Sequence, residues 1–394
     1  MAGIARFRLV IFMNMQPDLR FARNVILKAG ALFIIANLLF ALLYPLPALG
    51  RISIYNRLVP GRQRLPYGDN PEKAYNLSLY NLEAMFASHE ISARPKPADE
   101  YRVILIGDSS TWGFLLPVDQ TLSAYLNANT SVFDALPGYK QVRFYNLGYP
   151  VMSLAKDLLL LSYAQSYQPD LILWLVTLES FPYDKQLYPP LLQNNPIPLT
   201  RLVDAYHLNL NGNDPSLVRP GFRQRTLLGA RRPLADLVRL QLYGVLWAAT
   251  RVDQDIPLSY TLRQEDLADD LGFHNLTPPH LQASDLAFDV LSAGVSLAGP
   301  APVILINEPM FISQGLNSQI RYNFYYPRWA YDDYRQLLAA QSAQNGWNYR
   351  DFWDAIPPSE FSNSAVHLTA SGNRQLAALV AQAILETLVK TPAH

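Results

Sequence analysis

The sequence predicts a doubly wound, three-layer α/β/α domain built on a parallel sheet. From residue 103 onward, apolar runs of strand length alternate with amphipathic runs of helix length. Two of the strand-like runs stop at a glycine, Gly107 and Gly148, and a third stops at Asn307. The run over 171–176 is apolar at every position, as a strand covered on both faces should be. Strand–helix alternation of this kind favours parallel strands joined by right-handed crossovers.

The elements follow in order. A strand is predicted over 103–106, where Val103, Ile104 and Ile106 are β-branched, then a helix over about 122–133. A second strand covers 142–147, a helix 153–167 and the third strand 171–176. Between 181 and 280 the alternation lapses into a segment rich in proline, asparagine and tyrosine. It contains an apolar helical stretch, 234–250, whose Asp236, Arg239 and Gln241 argue against a membrane span. Core packing, a lid and a membrane-facing helix are its alternative roles. A helix over 281–297, a strand over 303–306, a helix over 331–345 and a short strand over 347–352 resume the pattern. Thr369 is placed to cap a final helix whose Leu376, Leu379, Val380, Ala383, Ile384 and Leu388 share a face.

Ahead of this domain, 25–46 is almost wholly apolar, long enough for a helix across a bilayer. Arg6, Arg8, Arg20 and Arg23 precede it against Asp18, which favours a cytoplasmic N-terminus. A cleaved signal peptide is the alternative, but the apolar core is long for one and no small-x-small site follows. The predicted organisation is a cytoplasmic N-terminus and transmembrane anchor over 1–50, a juxtamembrane collar over 51–98, and the α/β domain over 99–394 with its insertion at about 181–280. On that topology the α/β domain is extracytoplasmic and the protein is a single-pass membrane protein. A helix is expected over 75–89 in the collar, with His89 at its end as a surface or capping residue.

The 394 residues are half hydrophobic and carry no net charge, which argues against a general nucleic-acid binder. There is no cysteine, so disulfides, thiolate metal sites and cysteine nucleophiles are excluded. No His-x-x-x-His spacing and no glycine-rich loop followed by lysine occurs, so neither a metal nor a nucleotide cofactor is expected.

The chemistry is expected at the carboxyl end of the first strand, where open parallel sheets bind ligands. Gly107, Asp108 and Ser109 stand there, and Val366–His367–Leu368–Thr369 precedes the last helix. A serine hydroxyl needs a base to become a nucleophile, and His367 is the histidine placed for that task. Ser110 is not excluded on chemistry alone. Asp108 is expected to hold the turn by hydrogen bonds.

The Gly107–Asp108–Ser109 block together with His367 resembles the GDSL or SGNH hydrolases, over roughly 101–389 with a long insertion. The resemblance implies Ser109 as nucleophile, His367 as base, and oxyanion donors at the backbone of Ser109 and at Gly148, which lies in a matching Asn146–Leu147–Gly148–Tyr149–Pro150 block. Two positions depart from the family. Glu179 stands where its third donor, an asparagine, belongs; Asn307, Asn146 and Asn195 are candidates for the missing amide. Ser364, preceded by Asn363, stands where the orienting aspartate belongs. Asp351, Asp354 and Glu179 are candidates for the acid, and a backbone carbonyl is the alternative. The aromatic stretch 321–329 has faces suited to sugars, although a packed loop explains it equally well. The expected activity is that of a membrane-anchored serine esterase or O-acyltransferase acting on an ester, with acylated cell-envelope carbohydrate as the implied substrate class. The alternative is a catalytically silent fold that binds a glycan, a lipid or a membrane partner.

Overall fold

The computed structural model describes residues 19–59, 61–68, 77–133, 140–250 and 259–390. Arg6, Arg8 and Asp18 of the flank before the anchor, and the first two residues of the expected collar helix, lie outside these ranges. Two compact units emerge, one within Met1–Leu46 and Pro220–Ala235, the other within Pro47–Arg219 and Asp236–His394.

In the first unit, α1 (Leu19–Leu43) is the apolar helix. Arg20–Leu43 is long and apolar enough to cross a membrane, and its most apolar window is only 6% buried. Tyr44 ends it with a positive φ of 40°, and Pro45, which has no backbone N–H to donate, follows.

The second unit begins with α2 (Ile54–Leu58) and α3 (Leu82–Ala87). The expected collar helix is therefore shorter. Asn81 caps α3 by accepting from the Ala84 N–H, which fixes its start. Its Leu82, Met85 and Phe86 enter the main core. His89 is fully buried rather than at the surface, and its Nδ1 accepts from the Ile91 N–H at 3.1 Å.

Then comes β1 (Glu100–Ile106), the one-turn α4 (Ser109–Trp112), α5 (Leu122–Ala128), β2 (Gln141–Asn146), α6 (Leu154–Ala164) and β3 (Leu171–Val176). The insertion supplies α7 (Pro196–Tyr206), and also α8 (Phe222–Arg225) and α9 (Arg231–Thr250), of which α8 and the first turn of α9 belong to the first unit. The pattern resumes with α10 (Phe288–Leu297), β4 (Val303–Asn307), α11 (Arg328–Asn345), β5 (Asn348–Asp351) and α12 (Ala370–Lys390). The start of α10 is later than 281 because a separate turn, Ala283–Asp285, precedes it.

All five strands are parallel, in the order β2-β1-β3-β4-β5. One face carries Ile104, Ile106, Ile172 and Trp174 against α6 and α10; the other carries Val103, Leu105, Leu171 and Leu173 against α5 and α12. Period-two alternation thus feeds two cores, which makes the three layers. The sheet register pairs Ile106 with Trp174 and Val176 with Asn307. The ends of β1, β3 and β4 therefore open on one edge, which collects Ser109, Glu179 and Glu308.

Candidate active site

The turn after β1 is set by a close approach. A Cβ on Gly107 would lie 2.3 Å from Thr111 Oγ1 and 3.0 Å from the Leu175 carbonyl, so only glycine lets α4 start there. Asp108 caps α4, its Oδ1 accepting from the Ser110 N–H at 2.7 Å. That cap aims the two adjacent serines differently. Ser109 Oγ lies 2.7 Å from His367 Nε2, whereas Ser110 Oγ donates to Glu308 Oε2. The sequence left both hydroxyls open; the geometry puts Ser109 against the imidazole.

His367 sits in the loop before α12, 8% exposed, with the Phe114 ring stacked on it at 4.8 Å. Burial pushes its pKa down to about 4, against the opposing pull of the Asp108 charge. The ring is neutral at pH 7, and its Nε2 can accept the Ser109 proton. For that, Nδ1 must carry the hydrogen, and Asn363 Oδ1 lies 2.8 Å away to accept it. The Ser362 N–H donates to the His367 carbonyl at 2.8 Å, closing the loop that brings Asn363 beside the ring.

The carboxylates considered for that position have other partners. Asp351 is held by Arg335 at 2.8 Å and by the Asn307 amide at 2.8 Å. Asp354 is exposed. Glu179 is paired with Lys185 at 2.8 Å and with His274 Nε2 at 3.1 Å, and His274 Nδ1 reaches Asp184 at 2.9 Å. Burial acts to lower the His274 pKa, but hydrogen bonds and charge from Glu179 and Asp184 outweigh it and the pKa is raised. The Glu179 carboxylate is thus paired with two insertion residues.

The residues expected as oxyanion donors have the following partners. Asn307 is fully buried, its amide spent on Asp351 and its Oδ1 accepting from Tyr334. The Gly148 N–H donates to Asn146 Oδ1 at 3.0 Å, and the Asn146 amide donates to the Thr111 carbonyl at 2.8 Å. A Cβ at Gly148 would meet Trp112 N at 2.6 Å. Here Gly148 serves the tight packing of its loop on α4. The Asn195 amide bonds the Tyr80 and Leu191 carbonyls. The N–H of Ser109, in the first turn of α4, has no partner within that helix by position.

Beneath the serine turn lies a buried polar cluster. Glu308 is 1% exposed and Asp108 3%. Burial first, then the Asp108 charge, push the Glu308 carboxyl well above the usual carboxylate range. Glu308 Oε2 accepts from Ser110, while Glu308 Oε1 and Asp108 Oδ2, both buried, meet no other hydrogen-bond donor among the described residues. Lys156, fully buried, donates to the Gly107 carbonyl at 2.7 Å and the Tyr149 carbonyl at 3.0 Å, and pairs with Asp157 at 2.5 Å. It clamps the β1 and β2 exit loops together. A charged pair inside the apolar run 154–161 is the sequence signal for it. Among the described residues, no cluster of histidine and carboxylates suits a metal ion.

The aromatic stretch is mainly a packed loop: Tyr322 and Tyr326 are buried, and Arg321 is spent on backbone carbonyls such as those of Asp270 and Phe324. Tyr325 remains partly exposed.

The parallel sheet order, the serine turn after β1 and the histidine loop before the last helix now stand together. In these three features the chain resembles the SGNH hydrolases. No family profile matches the chain, and no curated protein matches it. Solved structures similar to it include a lipase/acylhydrolase from Enterococcus faecalis, at 14% identity over 74% of this chain and all of that one, with a TM-score of 0.35. An acetylxylan esterase from Geobacillus stearothermophilus, solved as a catalytic mutant, is 12% identical over 72% of this chain and 94% of its own, with a TM-score of 0.34. A carbohydrate acetylesterase family member from Sinorhizobium meliloti is 11% identical over 73% and 99%, with a TM-score of 0.30.

Proposed function

We propose that this SGNH-fold chain is a membrane-anchored serine esterase or O-acyltransferase that works through an acyl-serine. The observation that carries the reading is the relay from Ser109 Oγ to His367 Nε2 and from His367 Nδ1 to Asn363 Oδ1, at 2.7 and 2.8 Å. Ser109 attacks the ester carbonyl and its proton passes to Nε2. The imidazolium keeps its Nδ1–H on Asn363 while the tetrahedral oxyanion is met by the Ser109 N–H. Nε2–H then protonates the departing alkoxide, leaving the acyl-serine. Water or a sugar hydroxyl gives its proton to Nε2 and attacks in turn, releasing an acid or a new ester.

The anchor is α1, with the α/β domain outside the cytoplasm. Acylated carbohydrate of the cell envelope is the substrate class, supported by the family resemblance together with that location. The partly exposed Tyr325, next to the histidine loop, offers a ring face of the kind sugars stack on.

The test is labelling of the full-length protein by a fluorophosphonate, beside Ser109→Ala and His367→Ala. Labelling of the parent, lost in both variants, is expected. A folded parent that does not label would refute the esterase reading and favour a silent fold that binds a glycan, lipid or membrane partner.

A further inference from the structure

The insertion presents apolar surface that the fold does not use. In α9, Leu237, Leu240 and Gly244 face inward, with Gly244 against Tyr55. Val238, Leu242 and Leu246 recur every fourth residue on another face and are 60%, 68% and 58% exposed. Gln241, next to this stripe, ties α9 to the start of α2. Its side chain donates to the Ile52 carbonyl at 2.8 Å and accepts from the Ile54 N–H at 2.9 Å. Ile52, Ile54 and Leu58 are themselves exposed.

Two observations say what covers this face. The first is a bond to the apolar helix. The Leu228 N–H donates to Asn37 Oδ1 at 3.0 Å, and Arg225 stacks on Tyr44 at 5.2 Å. Asn37 lies six residues inside the end of α1, about 9 Å along its axis. Leu228, 59% exposed, is therefore held level with the last turns of a helix built for a bilayer, and α9 begins three residues later. The second is charge. Residues 220–250 carry five arginines against one aspartate, and Arg231 and Arg232 open α9. Arginines beside an exposed apolar stripe are the mark of a helix lying in a lipid headgroup layer.

We infer that the insertion is a second membrane contact: Leu228 enters the bilayer beside α1, and α9 lies on the bilayer surface through Val238, Leu242 and Leu246, with its arginines among anionic headgroups. This rests on α1 being a membrane anchor.

Because the chain has no cysteine, single-cysteine variants can carry a polarity-sensitive fluorophore. The full-length protein is reconstituted into phosphatidylglycerol–phosphatidylcholine vesicles containing a lipid with a spin label on its acyl chain. Leu32→Cys reports the anchor, Leu228→Cys and Leu242→Cys report the insertion, and Gln375→Cys, at an exposed position of α12, is the control. Quenching at Leu228 and Leu242 several-fold above Gln375 is expected. Quenching at Leu32 with Leu242 no better than the control overturns the inference while the anchor stands, and leaves the stripe to a protein partner. No quenching at Leu32 overturns the anchor, and this inference with it.

Discussion

Asn363 Oδ1 receives the Nδ1–H of His367 at 2.8 Å, so an amide holds the imidazole whose other nitrogen faces Ser109. An amide oxygen fixes the tautomer without placing a charge beside the ring. Asn363→Ala removes that acceptor and frees the ring to turn, and the labelling rate is expected to fall about 10²-fold or more, the usual worth of a positioned base. Asn363→Asp keeps the acceptor and adds a negative charge, which favours imidazolium. Activity is expected to persist in this variant, with its acidic pH limit moved upward. A pH–rate profile of both variants checks this; loss of activity in Asn363→Asp as deep as in Asn363→Ala contradicts it.

The pH dependence of the parent follows from burial. With the His367 pKa at about 4, the ring is the free base throughout the neutral and mildly acidic range. The acid limb of kcat/KM on a small aryl ester is expected near pH 4, well below the ordinary histidine value of about 6.5. The same depression has a stability sign. The unfolded chain binds the proton below about 6.5 while the folded one resists it down to about 4. This contribution is therefore present above pH 6.5 and is lost as pH falls through that window. An acid limb at pH 6 to 7 would mean that the ring is more hydrated than the structure has it.

Glu179 bears on the mechanism through its distance from it. Its oxygens are spent on Lys185 and His274, whereas the imidazole has Asn363. Glu179→Gln is expected to change the labelling rate by less than about tenfold, equivalent to 1.4 kcal/mol. It is also expected to lower the His274 pKa, since the strongest raising partner is removed. NMR titration of His274 reads the second effect. A loss of labelling beyond 10²-fold would return Glu179 to the triad.

Much of this was legible because strands and their exits are local. The wholly apolar 171–176 and the abrupt Gly107–Asp108–Ser109 exit locate a sheet edge without any long-range knowledge. His367 was legible because it precedes the last helix. Asn363 was harder, standing four residues before His367 and not three. The Ser362–His367 backbone bond and the Phe361–Leu368 bridge beside it fold that loop so the amide meets the ring. The fate of Glu179 was only half legible, since of its two partners Lys185 is six residues on and His274 comes from 95 residues away. Gly148 and Asn307 matched expected donors by position. Their hydrogen bonds are made inside the scaffold, which position along a strand does not reveal.

Glu308 tests whether the cluster beneath the serine turn works as a neutral bridge. Its carboxyl is raised by burial and by Asp108, so the folded protein keeps a proton that the unfolded chain releases above about pH 4.5. Stability from this group is full below that pH and declines as pH rises toward the folded pKa. Glu308→Gln reproduces the protonated shape: the amide N–H₂ donates to Asp108 and the amide oxygen accepts from Ser110. It cannot ionise, so its stability relative to the parent is expected to grow as pH rises from about 4.5, with the Ser109 labelling rate nearly intact. Glu308→Ala strands Asp108 and Ser110 in a dry site, at a cost of about 1–3 kcal/mol for each lost partner. It is expected to lower both stability and labelling, because the Asp108 cap that aims Ser109 loses its support. Thermal unfolding of the three proteins between pH 5 and 8 separates these outcomes. A Gln variant whose Tm difference from the parent stays flat with pH would mean that Glu308 is ionised in the fold.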